Sequence, residues 1–291
     1  MVPEAVLAAF GASGSVPVPL IGGQGTAWRA GEIVLKPAGP RQAARWTAEL
    51  YSRLSGPGFR VPRPVRAAAR TPVRAAAHDP AGGDWVAEGW VAWQWLPGAP
   101  ADWSGVSLRW GQLLTVSRAF HAALAGIPAP SWLGRTGTQW TVGDQVAWGE
   151  RDPGPILESA GERLGRQIRS LLSVLRPVDL PSQLMHGDLG GNVLFAGDEP
   201  PAVIDFSPYW RPPGLAIAVA AVDALQWSRA DPAILGHLAA EPELDQLLAR
   251  ALVYRHVTEI VARAGGTGLD VVARTGQPVT DLILARIHRQ P

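Results

Sequence analysis

A run of mostly apolar residues at positions 184–195, LMHGDLGGNVLF, contains a histidine, an aspartate, an asparagine and three glycines. Apolar residues on both sides of these groups indicate that the run lies in the protein interior. Polar groups are stable there only when they have a hydrogen-bond or charge partner. The chain must therefore fold so that other polar groups or a bound ligand meet this glycine-rich turn.

The segment before residue 97 is dominated by short β-type runs broken by glycine and proline. One of them, EIVLK, ends a hairpin-like pattern over residues 16–36 and places Lys36 at the end of a strand. The next segment, RQAARWTAELYSRL, repeats apolar residues at every fourth position, which predicts an amphipathic helix that carries Glu49. The tryptophan-rich run WVAEGWVAWQWLPGAP then predicts a strand that closes at Pro97 and Gly98.

From residue 110 onward the pattern changes to segments with helical periodicity, interrupted only by the run at 184–195 and by PAVIDFSPYW. We therefore predict an α+β chain with two domains. Residues 1–97 form a small β-rich N-terminal lobe with one helix, and residues 98–291 form a larger, mainly helical C-terminal lobe.

Charge and composition narrow the choice of partners. The chain has 26 Lys and Arg residues against 25 Asp and Glu residues, a formal net charge of +1, and so lacks the field that would favour nucleic acid or an anionic membrane. We expect a small-molecule partner instead. Cysteine is absent, which excludes disulfides, thiolate zinc sites and cysteine nucleophiles and is compatible with a reducing compartment.

No segment has the pattern of a targeting signal or a membrane span. The N-terminal residues MVPEAVLAAFGASG lack the basic region of a signal peptide. The longest apolar run, near LAIAVAA, stops at Asp223 and is too short to cross a bilayer. We therefore expect a cytoplasmic protein that does not enter a membrane.

Lysine and asparagine each occur only once in the sequence. Only Lys36 among the 26 cationic side chains is a lysine, and Asn192 is the single asparagine. A chain that uses arginine elsewhere and keeps lysine at one position suggests a site that needs a compact ammonium group rather than a planar guanidinium. Chance is the alternative for each residue alone, so the question is whether both belong to one site.

The order of polar residues matches the catalytic parts of protein kinases. Those enzymes have a glycine-rich loop, a strand lysine paired with a helix glutamate, a catalytic aspartate, a metal-binding asparagine and a second metal-binding aspartate. Counterparts follow here in the same order: Gly22, Gly23, Gly25, Lys36, Glu49, Asp188, Asn192 and Asp205. Through HGDLGGNVLF, the later VIDF and the lysine and glutamate, the chain resembles the aminoglycoside phosphotransferase family, protein-kinase-like enzymes that phosphorylate hydroxyl groups of small molecules.

The resemblance implies a protein-kinase-like bilobal fold and a phosphotransferase that uses Mg²⁺ and ATP to phosphorylate a hydroxyl group of a small molecule. The N-terminal lobe would bind the nucleotide, and the C-terminal lobe would carry the catalytic and substrate-binding residues. Lys36 would contact the α and β phosphates, with Glu49 holding its ammonium group in place. Gly22, Gly23 and Gly25 would lie against the phosphates.

In the C-terminal lobe, the resemblance makes Asp188 the catalytic residue, which accepts or orients the proton of the attacking hydroxyl group. Asn192 and Asp205 become Mg²⁺ ligands, because this ion prefers hard oxygen atoms and keeps water and phosphate oxygens as its other ligands. The glycines of the 184–195 run would let the backbone turn tightly between these side chains. Metal and phosphate would then satisfy the buried polar groups.

Departures from the kinase pattern leave an alternative open. Asp188 and Asn192 are four residues apart instead of five, and the loop GGQGT does not match GxGxxG. Phe206 and Ser207 follow Asp205 where protein kinases have Phe and Gly. The alternative is a catalytically inactive kinase-like protein that binds nucleotide or another ligand.

Single residues also have structural interpretations. A solvated Glu49 that pairs with Arg45 or Arg53 is the common case on a helix. Asp188 and Asp205, taken alone, have the character of turn or cap residues.

Three further polar residues are expected to support the site. His186 should pack and hydrogen-bond against the segment around Asp205, and His121 should be a structural residue on an apolar helix face. Asp223, alone among apolar residues, should brace the catalytic loop.

The charge of the C-terminal third bears on the acceptor. Residues 206–291 contain eight Asp and Glu residues and eight Arg residues. A polycationic acceptor such as an aminoglycoside needs a surplus of acidic side chains around its pocket. The balanced count argues against such an acceptor.

Overall fold

The computed structural model describes residues 1–20, 25–68, 83–104, 109–264 and 266–289. Gly22 and Gly23, two of the predicted phosphate-contacting glycines, lie outside the described residues.

Contacts divide the chain into two compact units. The first contains Met1–Ala99 and Leu194–Ile204, and the second contains Pro100–Val193 and Asp205–Pro291. The sequence pattern predicts that Leu194–Ile204 belongs to the C-terminal lobe, whereas its contacts group it with the first unit. The assignment of nucleotide binding to one part and catalysis to the other stays a prediction.

Backbone pairing explains why this insertion joins the first unit. The Arg60 N–H donates to the Pro201 carbonyl at 2.9 Å, and the Val203 N–H donates to the Arg60 carbonyl at 2.8 Å. The Arg60 guanidinium adds a bond from Nε to the Pro200 carbonyl at 2.7 Å. These bonds link positions about 140 residues apart in sequence, a distance over which residue patterns carry no pairing signal.

The first unit is built on an antiparallel sheet of five strands. The strands are β1 (Val18–Pro19), β2 (Trp28–Ala30), β3 (Ile33–Pro37), β4 (Pro64–Val65) and β5 (Trp90–Gln94). Their order across the sheet is β1-β2-β3-β5-β4. Successive side chains on β3 point to opposite faces, so Leu35 is fully buried while Lys36, in register with Val91 of β5, points the other way.

Two helices accompany this sheet, α1 (Glu4–Ala9) and α2 (Arg41–Arg53). The sequence analysis predicts α2 but not α1. Val6 and Leu7 of α1 share a hydrophobic cluster with Leu35 of β3. Helix α2 carries Glu49 on an exposed face.

Ion pairs fix the position of α2 near its N-terminus. Arg45 donates from Nε and Nη2 to the two carboxylate oxygens of Asp84 at 2.8 and 2.5 Å, and Arg41 pairs with the same carboxylate. At the C-terminal end, Nη1 of Arg63 donates to the carbonyl groups of Tyr51 and Leu54, which lie at the last turn, where the ladder of helical hydrogen bonds ends.

The second unit is mainly helical. Its helices are α3 (Trp110–Leu124), α4 (Gln139–Ala147), α5 (Gly154–Leu157), α6 (Glu162–Ser173), α7 (Gly214–Trp227), α8 (Ile234–His237), α9 (Leu244–Arg263) and α10 (Leu269–Ile287). Helix α9 lies at the centre and packs against α4, α6, α7 and α10. Because α7 and α9 are surrounded on most sides, they bury most of their side chains.

The remaining strands are short. They are β6 (Ala99–Pro100), β7 (Gln183–His186), β8 (Val193–Ala196), β9 (Glu199–Val203) and β10 (Pro208–Arg211). They form a two-stranded sheet, β10-β7, and a three-stranded sheet of order β6-β8-β9.

Helix α10 is longer than its sequence pattern predicts. The sequence pattern predicts a helix only after Pro278, over VTDLILARIHRQ, because proline is unfavourable inside a helix. The structure continues the helix through Pro278 back to Leu269, and Val272 and Ala273 of the first half are buried. Burial of that apolar face outweighs the missing backbone hydrogen bond.

In the described part of the chain, no helix combines the length and the apolar character needed to cross a membrane.

Candidate active site

The polar run at 184–195 forms a loop at the end of a strand pair. Strand β7 ends at His186, which lies opposite Pro208 of the antiparallel strand β10. Beyond this pair, the Gly187 N–H donates to the Ser207 carbonyl at 2.8 Å. The loop that begins with Asp188 therefore starts beside the segment that follows Asp205.

Two histidines support the start of this loop. The backbone N–H of His186 donates to Nε2 of His121 at 3.0 Å. On the other side of the His121 ring, Nδ1 lies 2.8 Å from the Ser117 carbonyl, which assigns the proton to Nδ1. Burial, and secondarily the neighbouring His186, lowers the pKa of His121 to about 3, so the ring stays a neutral acceptor.

The His186 ring packs against the segment around Asp205 as predicted, and it forms a hydrogen bond with the Asp188 loop. Its Nδ1 accepts the Asp188 N–H at 3.1 Å, and its ring packs edge-on against Phe206 with 5.6 Å between ring centroids. The ring thereby connects the Asp188 loop with the residue that follows Asp205.

Asn192 closes the loop back on Asp188. Its backbone N–H donates to Leu189, and its side-chain Nδ2 donates to the Asp188 carbonyl at 2.6 Å and to Asp188 Oδ2 at 3.3 Å. With Nδ2 used in this way, the amide oxygen is the atom of Asn192 that could serve a cation.

Asp205 has an unusual backbone conformation. Its φ of +51° lies in the left-handed region, which residues other than glycine seldom occupy and which Asp and Asn tolerate best. The residue is exposed. Such conformations cluster at functional sites, where the surrounding structure holds them in place.

The loop glycines permit close approach rather than a sharp turn. Gly187, Gly190 and Gly191 do not have positive φ values. A side chain at Gly187 would overlap the Tyr209 ring, and one at Gly190 would come within 3.1 Å of the Ala220 methyl group. The turning role expected from the sequence is therefore replaced by a packing role at Gly187 and Gly190.

An arginine that the sequence analysis missed contacts the predicted catalytic residue. Arg255 of α9 donates from Nη2 to Asp188 Oδ1 at 2.6 Å. The same guanidinium donates from Nε to Asp223 Oδ1 at 2.8 Å and from Nη2 to Asp223 Oδ2 at 2.5 Å. Asp223 therefore braces the loop through Arg255, in the supporting role expected for it.

Electrostatics keep Arg255 charged in spite of its burial. Burial by itself lowers the pKa of a guanidinium, but Asp223, followed by Tyr254 and Asp188, raises the pKa of Arg255 well above its ordinary value. The isolated Asp223 in an apolar helix was the only sequence signal for this pair, because a buried carboxylate needs a cationic partner.

The predicted nucleotide-binding residues of the first unit lie on separate elements. Lys36 is on β3, Glu49 is on the exposed face of α2, and Gly25 has a φ of +67° with open space around it. Among the residues that the structure describes, the Glu49 carboxylate has no ion pair. Its pairing with Lys36 and the phosphate contacts of Lys36 and Gly25 stay predictions.

Comparison with known protein families decides the family. A model of the phosphotransferase enzyme family, abbreviated APH, matches residues 6–209. The chain belongs to this family. The family model ends inside β10, so it includes Lys36, Glu49, Asp188, Asn192 and Asp205. No curated protein matches the sequence.

Solved structures of APH phosphotransferases and a related kinase share the fold. A thermostable mutant of aminoglycoside phosphotransferase APH(4)-Ia, in a ternary complex with AMP-PNP and hygromycin B, aligns with a TM-score of 0.60 at 13% identity over 99% of this chain and 98% of that one. A microcompartment-associated aminopropanol kinase aligns with a TM-score of 0.53 at 19% identity over 98% and 95% of the two chains.

Spectinomycin phosphotransferase APH(9)-Ia, in complex with ADP and spectinomycin, has a TM-score of 0.51 at 13% identity over 98% of this chain and 97% of that one. At such identities the likeness establishes the fold. The protein-kinase-like α+β fold predicted for this APH family member is thereby confirmed.

The donor set of the APH family member fits Mg²⁺. Among the described residues, no cluster of three His, Cys, Asp or Glu side chains could hold a metal by itself. Mg²⁺ binds through one or two protein ligands while keeping water and phosphate oxygens, so a site of this kind does not need such a cluster. The amide oxygen of Asn192 and the exposed carboxylate of Asp205 suit this mode.

Proposed function

We propose that this protein is a phosphotransferase that uses Mg²⁺ and ATP to phosphorylate a hydroxyl group of a small molecule. The observation that carries the proposal is the state of Asp188. Its carboxylate is held by Arg255 and Asn192 at the start of a loop, yet its side chain is 49% exposed. A fixed but accessible carboxylate is what a catalytic base for an alcohol requires.

In this mechanism, Asp188 accepts the hydrogen bond of the acceptor hydroxyl group and then its proton. The acceptor oxygen forms a bond to the γ-phosphorus as the bond from that phosphorus to the β–γ bridging oxygen breaks, and ADP leaves with the bonding electrons. Catalysis then depends mainly on positioning and on neutralising phosphate charge. Mg²⁺, held by Asn192 and Asp205, would supply part of that neutralisation.

In this proposal, Lys36 and Gly25 bind the nucleotide. The Lys36 ammonium is a compact point charge that suits the α and β phosphates. Glu49 would orient it. The family membership and the position of Lys36 on β3 support these roles.

We further propose an acceptor that is neutral or carries little positive charge. About half of the acidic side chains of the second unit, among the described residues, pair with arginines. The pairs are Asp144 and Glu150 with Arg211, Asp188 and Asp223 with Arg255, Arg118 with Glu241, Arg166 with Glu162, Arg176 with Glu243, Arg263 with Glu259, and Arg286 with Asp245. A polycation would have to displace arginines that are already in place.

A second candidate is a kinase-like protein that binds nucleotide without transferring phosphate. The short spacing between Asp188 and Asn192 favours it, because the closed loop commits the Asn192 amide nitrogen to Asp188. Formation of a phosphorylated product from any acceptor would exclude this candidate.

Calorimetric titration of ATP with and without Mg²⁺ tests the metal site. We expect the wild type to bind ATP tightly only with Mg²⁺, and Asp205→Asn to lose that dependence. Asparagine tolerates the left-handed conformation at this position, so the substitution removes the charge without straining the backbone. Asp198→Asn, at an exposed position of the β8–β9 turn, serves as the control. Absence of nucleotide binding in the wild type would overturn the proposal.

A screen of hydroxyl acceptors tests the transfer itself. Purified protein with Mg²⁺ and ATP is incubated with neutral, anionic, monocationic and polycationic alcohols, and ADP release and product mass are measured. We expect transfer to neutral or weakly charged acceptors, and loss of about 10²–10⁴-fold in kcat for Asp188→Asn. Transfer to polycations alone would contradict the acceptor class while leaving the reaction intact.

A further inference from the structure

The predicted catalytic residue is held by a charged pair that belongs to two helices of the second unit. We propose that Arg255 is a positioning residue for phosphoryl transfer: its guanidinium, anchored by Asp223, fixes the Asp188 carboxylate so that Oδ2 faces the acceptor hydroxyl group. This inference rests on the proposed function, because it assigns a purpose to the geometry of Asp188.

The hydrogen bonds indicate that Asp223 orients Arg255 and that Arg255 orients Asp188. Asp223 receives two parallel bonds from Nε and Nη2 of Arg255, which is the geometry that a guanidinium and a carboxylate favour. The second N–H of Nη2 is then directed at Asp188 Oδ1 at 2.6 Å. Asp223 therefore determines the plane of the guanidinium, and the guanidinium determines the orientation of Asp188.

Packing makes this arrangement rigid. The Arg255 side chain is 13% exposed, and its guanidinium carbon lies 5.1 Å from the centre of the Tyr254 ring. The Tyr254 hydroxyl group is in turn 3.1 Å from that of Tyr209, whose ring lies against Gly187. The loop that carries Asp188 is thus held from α9 both through Arg255 and through the tyrosine pair.

The two oxygens of Asp188 have different surroundings. Oδ1 accepts the short bond from Arg255, whereas Oδ2 accepts, from the described residues, a single 3.3 Å contact from Asn192. Oδ2 is therefore the oxygen with capacity to accept the hydrogen bond of an incoming hydroxyl group. A displacement of reacting groups by about 1 Å can cost about 10²-fold in rate, so the orientation that Arg255 imposes has a kinetic value.

The negative charges of Asp188 and Asp223 also favour a positioning role for Arg255. Without Arg255, the carboxylates of Asp188 and Asp223 would face each other without a cation between them, and like charges repel. Asp188 would then move out of position. Lysine cannot replace arginine here, because an ammonium group lacks the planar fork that serves both carboxylates.

The experiment compares four variants with the wild type: Arg255→Met, Arg255→Lys, Asp223→Asn and the double variant Asp223→Leu with Arg255→Met. We expect Arg255→Met to lower kcat about 10²-fold while the Kd for Mg·ATP and the KM for ATP change less than twofold. Arg255→Lys should restore little of the rate, and Asp223→Asn should lower kcat less than Arg255→Met does.

The double variant separates positioning from folding. It replaces the buried ion pair by apolar side chains, so no lone buried charge destabilises the fold. We expect it to unfold at a temperature close to that of the wild type and still to show the reduced kcat. Arg250→Met is the matched control, since Arg250 is a buried arginine of the same helix whose bonds go to Gln246 and to the Arg176 carbonyl. It should keep its kcat.

Three outcomes would contradict the inference or the proposed function. Retention of kcat by Arg255→Met and by the double variant, in an active wild type, would overturn the inference and leave the proposed function standing. An equal loss of kcat in Arg250→Met would also overturn it, because the effect would then follow from any loss of a buried arginine in α9. A wild type that transfers phosphate to no acceptor would overturn the proposed function, and the inference with it.

Discussion

Gly187 follows directly after β7, and its lack of a side chain lets the Tyr209 ring lie against the start of the predicted catalytic loop. The three loop glycines look equivalent in sequence. In the structure only Gly187 and Gly190 are closely covered, whereas Gly191 faces open space. Residues of one type therefore have different energetic roles within five positions of the chain.

Gly187→Ala should destabilise the protein by about 1–3 kcal/mol, because the added methyl group forces the Tyr209 ring out of its place. Gly191→Ala has room for the methyl group and should stay within about 0.5 kcal/mol of the wild type. Urea unfolding followed by circular dichroism measures both. Equal effects of the two substitutions would show that the Tyr209 contact is not restrictive.

Individual residues show what the sequence could and could not predict. Asp188 and Asn192 were predicted as site residues because their types and order match a known chemistry. Arg255 was missed because it is one of 25 arginines and its partner Asp188 is 67 positions away. A side-chain partner at that distance is decided by how α9 packs beside the loop between β7 and β8, which a local pattern does not contain.

Helix α1 is a secondary-structure element that a local sequence pattern could not predict. It has six residues, too few for a helical period to be visible, and its stability comes from contact with the sheet. Val6 and Leu7 are buried there beside Leu35. The sequence predicted α2, β3 and β5 well, since each has a repeated pattern of its own, but it could not predict an element that is stable only through its tertiary contacts.

Leu7→Ala should therefore lower the free energy of unfolding by about 2–5 kcal/mol, as expected for a buried leucine that leaves a cavity. Ala8→Ser, at an exposed position of the same helix, is the control and should have little effect. Thermal unfolding of the two variants is compared under identical conditions. If Leu7→Ala matched the control, α1 would contribute nothing to the core.

For the molecule as a whole, two of the buried histidines of the second unit connect stability with pH. Burial lowers the pKa of both His121 and His256 to about 3. An unfolded histidine has a pKa of about 6.5. Since the folded pKa lies below the unfolded one, protonation favours the unfolded chain. The contribution of the two neutral rings to the free energy of unfolding is therefore complete above pH 6.5 and is lost as the pH falls towards 3.

Between pH 6.5 and pH 5, each of these histidines should remove about 1.4 kcal/mol of stability per pH unit at its limiting slope. Urea unfolding at a series of pH values measures the slope. His256→Leu should reduce it, because that ring makes no hydrogen bond to a described residue and leucine does not titrate. The exposed His237→Gln is the control. A slope unchanged by His256→Leu would contradict the assignment of His256 as a neutral buried group.

The hairpin of residues Leu194–Ile204 belongs to the first unit although the chain has already entered the second at residue 100. Protein synthesis proceeds from the N-terminus, and domains generally fold as units when their residues become available. The first unit cannot be completed until residue 204 has left the ribosome, by which time helices α3 to α6 have emerged as well. The nascent chain thus holds an unfinished sheet domain while most of the predicted catalytic loop is made, and Asp205 follows directly after the last residue of that domain.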